Sequence, residues 1–179
     1  MASDQVTAAD QIETNTPNEV DIGFMRRALD WAAKGKATPG GNPIGCVIVI
    51  DGKVVGEGYN ENELRCDPTA HGEMVAIRQA CAALGTVELR GATLYSTLQP
   101  CGMCSMASIW AKVSRIVYGA GRYDVHEMYF EERDRGIVDY VSDAYRDDLT
   151  LSGGVLAQEC AKFYVGPNEQ VPDEDQANL

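Results

Sequence analysis

The 179-residue chain has no apolar run long enough to cross a bilayer and no secretory signal pattern at its start. Both absences predict a cytoplasmic protein whose six cysteines stay mostly reduced. Histidine is scarce, with only His71 and His126, and aromatic residues make up just 7% of the chain, so a core must be built mainly from aliphatic side chains. Basic residues are outnumbered, 15 Lys and Arg against 27 Asp and Glu, for a net charge of −12. An acidic chain without a basic cluster is a poor electrostatic match for nucleic acid. The acids are unevenly placed. Residues 1–21 hold five acids and residues 166–179 hold four, neither stretch has a Lys or Arg, and the middle keeps only −3 of the charge. Polar, acidic and poor in large apolar residues, the two ends are predicted to be flexible tails. They flank one domain at 22–165, long enough to bury a sizeable core. No internal repeat is visible.

Along that domain, Ile22, Met25, Ala28, Leu29, Ala32 and Ala33 recur at helical spacing, predicting a helix over 22–36 that Thr38-Pro39-Gly40-Gly41 ends. Residues 44–50 form a continuous apolar run, as in a buried strand, and Asp51-Gly52 turns it into a returning strand over 53–59. Residues 60–67 are polar and read as a loop. Thr69 is placed to cap a helix over 70–84, with His71 in its first turn and Met74, Val75, Ile77, Ala80, Cys81 and Leu84 inward. A short strand follows at 93–97, then a helix at 101–111 preorganised by Pro100. A strand at 113–119, a short helix at 124–132, a charged connection, a strand at 149–151 and a closing helix at 155–164 complete the reading. Alternating strands and helices argue a three-layer α/β/α sandwich with a mixed central sheet, the hairpin supplying one antiparallel pair.

Chemistry is concentrated in His71-Gly72-Glu73 and Pro100-Cys101-Gly102-Met103-Cys104. Two thiols and an imidazole are the kind of ligands zinc takes, and three is the number a catalytic zinc keeps, with the fourth position left for water. Glu73, two residues from the histidine, need not bind the metal and can exchange protons in the same pocket. Helix starts at both segments favour thiolates and developing negative charge. Cys-x-x-Cys alone also fits a redox dithiol, half of a structural zinc site or two core cysteines. The histidine, the glutamate and the proline together weigh for zinc. A structural zinc would need a fourth protein ligand. His126 reads as a surface residue, Cys46 and Cys81 sit in apolar patterns as core, and Cys66 and Cys160 read as exposed or packing residues.

A His-x-Glu followed by Pro-Cys-x-x-Cys is the signature of the zinc deaminases, and the chain resembles the cytidine-deaminase-like superfamily over about residues 22–164. The resemblance implies zinc ligands at His71, Cys101 and Cys104 and a proton-shuttling Glu73. Asp67-Pro68-Thr69-Ala70-His71, Trp110-Ala111, and Asp124 with Phe130-Glu131-Glu132 are similar to small bacterial guanine deaminases. His71-Gly72-Glu73, Pro43-Ile44-Gly45 and the stretch 93–98 are similar to fungal cytosine deaminase. Against the guanine branch, Gly72 stands where Ala is usual, Ile44 where Phe is usual and Glu132 where Asp is usual. All three touch the pocket. Both branches imply that Asn60 hydrogen-bonds the substrate ring, its amide offering a donor and an acceptor; the plain alternative is a turn residue ending a strand. Asp124 and Glu132 are implied acceptors for ring NH groups, or else part of a solvated acidic face. Phe130 and Trp110 either stack on the ring or fill core.

The resemblance therefore implies a zinc-dependent hydrolase that releases ammonia from a free nucleobase or similar small amino-heterocycle, with guanine narrowly ahead of cytosine. Its partners would be that small substrate and water, with no membrane involved. It implies a homodimer in contact through the helix at Cys101 and the segment 124–132, with exchanged C-terminal segments that let Phe163 and Tyr164 close a partner's pocket. Rival readings are a tRNA adenosine deaminase, which the charge balance disfavours, the deaminase step of riboflavin synthesis, and a zinc-stabilised binding module without turnover. The last has no use for Glu73.

Overall fold

Asn18 opens the first helix, its Oδ1 accepting the backbone N–H of Asp21 at 2.8 Å. The structure, a computed structural model, describes residues 18–176. Most of the stretch expected to be an N-terminal tail, 1–17, lies outside the described residues, as do 177–179. Helix α1 spans Glu19–Ala37, with acids in its first turn and lysines in its last, as the helix dipole favours. It starts three residues before the expected boundary, so residues 19–21 belong to the domain. The acids there are not solvated filler: Asp21 is 3% exposed and takes two hydrogen bonds from Arg115, at 2.7 and 3.0 Å, and one from Tyr95 Oη at 2.9 Å.

Strand β1 (Asn42–Ile50) and strand β2 (Lys53–Asn60) form the expected hairpin around Asp51-Gly52, both with positive φ. A polar stretch read as loop contains a one-turn helix, α2 (Asn62–Arg65), too short to show a period. Helix α3 (Gly72–Leu84) leads to β3 (Thr93–Leu98), α4 (Gly102–Trp110) and β4 (Arg115–Ala120). Leu84, expected inward, is exposed at the helix end. The charged connection hides a second short helix, α5 (Ile137–Ser142), whose Ile137 and Val141 are both buried one turn apart. Strand β5 (Thr150–Ser152) and helix α6 (Ala157–Ala161) follow, with a 3-10 turn at Asp173–Asp175 beyond them. No helix among the described residues is long and apolar enough to cross a membrane.

The helix expected over 124–132 is absent. Asp124 instead accepts the Gly121 N–H in a turn, and His126 Nδ1 accepts the Met128 N–H, leaving only a 3-10 turn at Glu127–Tyr129. Local side-chain acceptors compete with the helical ladder there.

The five strands lie in the order β2-β1-β3-β4-β5, with β1 antiparallel to both β2 and β3 and the remaining pairs parallel. The mixed sheet is as expected, but with two antiparallel pairs in place of one. One face packs Val47, Tyr95 and Val117 against α1, α6 and Phe130. The other packs Cys46, Ile48, Leu94 and Ile116 against α3, α4 and α5. This is the expected three-layer α/β/α sandwich.

Candidate active site

Both ligand segments sit one step earlier on their helices than the sequence suggests. His71 is the N-cap of α3 and Cys101 the N-cap of α4, each in extended conformation and neither using its side chain as a cap. An extended N-cap lets the side chain point past the helix end, where the free N–H groups are. Thr69, expected as the cap, donates its N–H and hydroxyl to Asp67 Oδ1 at 2.8 and 2.7 Å. Cys104 follows in the first turn of α4 and is fully buried.

His71 Nδ1 lies 3.7 Å from Cys101 Sγ and 3.6 Å from Cys104 Sγ. One ligand atom from each of the three residues falls within 4.8 Å of the others. The group shares its protons unequally. Cys101 is drawn down to about 4, chiefly by a hydrogen bond from the Cys104 thiol and less by one to His71, against the opposing effect of burial. Cys104 is pushed up, first by donating to Cys101 and then by burial. His71 is raised by its bond to the Cys101 sulfur. A thiolate, a second thiol and an imidazole converging on one point make a donor set that fits zinc and leaves a fourth position open.

Glu73, in the first turn of α3, is 3% exposed. Its Oε1 accepts from Ser96 Oγ at 3.1 Å, while Oε2 is buried with no partner in the described structure. Burial foremost, and the Cys101 charge next, raise its pKa. A buried acid with one oxygen anchored and the other unpartnered beside three metal ligands suits proton exchange with something held between them.

Of the residues expected to bind substrate, three gather at the α3 start. Asn60 ends β2, and its Oδ1 accepts the Gly72 N–H at 2.6 Å. The acceptor half of its amide is thus engaged, leaving the donor half. A Cβ on Gly72 would come within 2.7 Å of the Ile44 carbonyl, so glycine permits the helix start to press on β1 there. Glu132 sits on the cysteine side, where its Oε1 accepts the Gly102 N–H at 2.6 Å and the Tyr140 hydroxyl at 3.5 Å. It caps the helix that carries both sulfurs. Asp124 caps a turn, and Phe130 is buried in the α1-side core with the Arg122 guanidinium 4.8 Å from its ring centre. Trp110 neither fills core nor lies buried at the site: it is 72% exposed at the end of α4. Tyr164 is buried and bonded to Thr97 and to the Pro43 carbonyl.

The sequence pattern does not single out Ser96 and Thr97; adjacent hydroxyls among Leu94, Tyr95 and Leu98 of β3 are the available signal. Gln99, just before Pro100, forms part of a cleft of 610 Å³ that also takes in Arg122, Arg133 and Arg135. The Arg122 guanidinium donates to the backbone carbonyls of Arg133 and Arg135 at 3.0 and 2.8 Å; Arg133 and Arg135 themselves are exposed.

Residues 18–120 match the cytidine and deoxycytidylate deaminase zinc-binding region. The tRNA-specific adenosine deaminase of Haemophilus influenzae is 36% identical over 148 residues, 81% of each protein. The guanine deaminase of Bacillus subtilis is 40% identical over 109 residues, 61% of this chain and 70% of that one. A solved structure from a study of A-to-I editing by tRNA:A34 deaminases superposes with a TM-score of 0.67 at 33% identity, over 79% of this chain and 98% of the other.

Proposed function

The chain belongs to the family defined by the cytidine and deoxycytidylate deaminase zinc-binding region, and from that premise we propose that it hydrolytically removes the amino group of an aminopurine. Members of this family act as hydrolases on C–N bonds. The observation that carries the reading is Glu73, with one oxygen fixed by Ser96 and the other buried and unpartnered next to His71, Cys101 and Cys104.

His71, Cys101 and Cys104 would hold the zinc, whose Lewis acidity makes a water proton removable near neutral pH. Glu73 Oε2 takes that proton, and its raised pKa lets it keep the proton long enough to deliver it to a ring nitrogen. The same oxygen then takes the proton of the newly added hydroxyl and passes it to the amino nitrogen, so that ammonia departs as the carbonyl forms. Ser96 holds the carboxylate in one rotamer throughout. The Asn60 amide nitrogen, its partner oxygen occupied by Gly72, offers a donor to an acceptor on the ring. Glu132 fixes the α4 start and through it both sulfurs.

The preferred substrate is an adenosine within tRNA. Support comes from the breadth of the match, 81% of both proteins for the H. influenzae enzyme against 61% of this chain for the guanine deaminase, and from two exposed arginines in a cleft that begins two residues from Cys101. This reverses the order drawn from the acidic net charge and the want of a basic cluster, although Asp124, Asp134 and Asp139 line the same cleft as the arginines. Free guanine is the second reading, favoured by the 40% identity to the B. subtilis enzyme. The test is one panel: tRNA transcripts with adenosine at the wobble position, free adenosine, guanine and cytosine, scored for ammonia and for inosine in the tRNA. Inosine formation is expected. Ammonia from guanine alone would install the second reading, and no ammonia from any member would overturn deamination of these rings.

A further inference from the structure

Strand β1 carries an irregularity where it meets the site. Asn42 pairs with Asn60 and Gly45 with Tyr59, so Pro43 and Ile44 have no partners on β2 and form a two-residue bulge. The Ile44 carbonyl of that bulge is the atom that crowds Gly72, between His71 and Glu73. Bulge backbone groups have no ladder to hold them, so something else must.

A chain of hydroxyls ties the Pro43 carbonyl of the bulge to Gly45 just beyond it. Gly45 N–H donates to Thr97 Oγ1 at 3.0 Å, Thr97 Oγ1 lies 3.0 Å from Tyr164 Oη, and Tyr164 Oη donates to the Pro43 carbonyl at 2.9 Å. Tyr164 has one proton and a carbonyl can only accept, so the Thr97 hydroxyl must donate to Tyr164. The relay runs one way, from Gly45 N–H through both hydroxyls to Pro43 C=O, closing a ring across the bulge. Bonds aligned in one direction in a dry interior strengthen one another. Thr97 is fully buried and Tyr164 nearly so. Tyr129 seats the Tyr164 ring edge-on at 5.2 Å and accepts the Val165 N–H, fixing the chain just beyond it. Gly45 is pinned from the other side, since a Cβ there would fall 2.0 Å from the Ala28 carbonyl of α1. Thr97 neighbours Ser96 on β3, so the two hydroxyls face opposite sides of the sheet: Ser96 orients Glu73 and Thr97 anchors the bulge.

We infer that Tyr164 is a positioning residue, whose hydroxyl holds the Pro43-Ile44 bulge against the start of α3 and so sets the wall of the substrate slot beside Glu73. The inference rests on the deaminase reading for its consequence but on the relay for its existence. A wall that contacts substrate and transition state alike governs binding more than chemistry. Tyr164→Phe in the zinc-loaded protein should therefore raise KM about tenfold, the scale of one buried hydrogen bond, with kcat and zinc content little changed. The substrate used is whichever member of the four-compound panel wild type turns over. Thr97→Val cuts the same relay and should reproduce the effect, the double variant should add nothing to either single change, and Thr97→Ser should restore wild-type KM. Independently, amide exchange at Gly45 and Gly72 should accelerate in Tyr164→Phe and in Thr97→Val. Unchanged exchange at both glycines in both variants, or additive effects in the double variant, would overturn the positioning role. If wild type deaminates nothing in the panel, the deaminase reading fails while the exchange measurement still decides the relay.

Discussion

Glu73 illustrates how a single residue is read at two levels. From sequence it is a carboxylate two positions after a histidine; in the fold it becomes a buried acid with one oxygen held by Ser96 and the other unpartnered. Glu73→Gln keeps the volume and the Ser96 contact but cannot cycle a proton. It should retain zinc and thermal stability while losing ~10²–10⁴-fold in kcat, the usual weight of general acid–base work. Rates within a few-fold of wild type, in a variant shown to be folded, would move the proton transfer to another group. Cys101 is the complementary case, the thiol drawn down to about 4 in this trio. Cys101→Ala removes the readiest anionic ligand, so metal analysis should find most zinc gone and the melting temperature lowered; full occupancy would dismiss the three-ligand assignment. That His71, Cys101 and Cys104 would converge beside a buried Glu73 was legible because their types and spacing point to one chemistry. Glu132 and Asp124 were not. Whether a carboxylate faces a ring or caps Gly102 and Gly121 depends on where the backbone N–H groups fall, which composition does not encode.

At the scale of elements, the long and strongly patterned pieces were readable: α1, the β1–β2 hairpin and both ligand helices lie within a few residues of expectation. Short ones were not, because α2 and α5 are one to two turns long and offer no period to detect. The start of α1 is instructive. Asp21 looked like the end of an acidic tail, yet its partner Arg115 is 94 residues away on β4, a pairing no local pattern announces. Removing that carboxylate takes the anionic partner from a mostly buried guanidinium and an acceptor from Tyr95. Asp21→Ala should cost toward the lower end of the ~3–5 kcal/mol typical of broken buried pairs, since Arg115 keeps some solvent and the Ser152 hydroxyl. Urea denaturation measures it, and a loss below about 0.5 kcal/mol, the scale of ordinary surface changes, would return residues 19–21 to the tail. Helix α4 makes a different demand. Its Trp110 is 72% exposed and borders a 640 Å³ cleft with Met106, Ile109 and Tyr145. These exposed apolar groups lie at the end of α4 opposite to Cys101, rimmed by Lys112, Asp139 and Asp143, and we propose a homodimer through them. Sedimentation should give a dimer that Trp110→Glu converts to monomer; a concentration-independent monomer for the wild-type protein would rule the contact out.

Over the whole molecule, charge is what separates the two substrates. The net charge is −12, but nine acids sit in residues 1–21 and 166–179, stretches without a single Lys or Arg. Between those stretches the charge is −3, and Arg133 and Arg135 are exposed in the cleft beside Gln99, which Asp124, Asp134 and Asp139 also line. Arg122 is not available for phosphate in the same way, because its guanidinium supports the backbone of both neighbours. Two contacted phosphates on a single-stranded loop imply a slope of about −1.4 in log kcat/KM against log salt, or about a sevenfold loss for a fourfold rise in salt. Screening of the acidic surroundings by the same salt works in the opposite direction, so sevenfold is an upper figure. Guanine is neutral and releases no counterions, so its kcat/KM should stay within about twofold over the same range. Arg133→Gln and Arg135→Gln should each flatten the tRNA slope by about 0.7 and leave guanine turnover alone. A tRNA reaction insensitive to salt and to both substitutions would mean that the cleft does not hold the substrate backbone, and a protein active on guanine alone with flat salt dependence would place the acidic chain among the free-base enzymes.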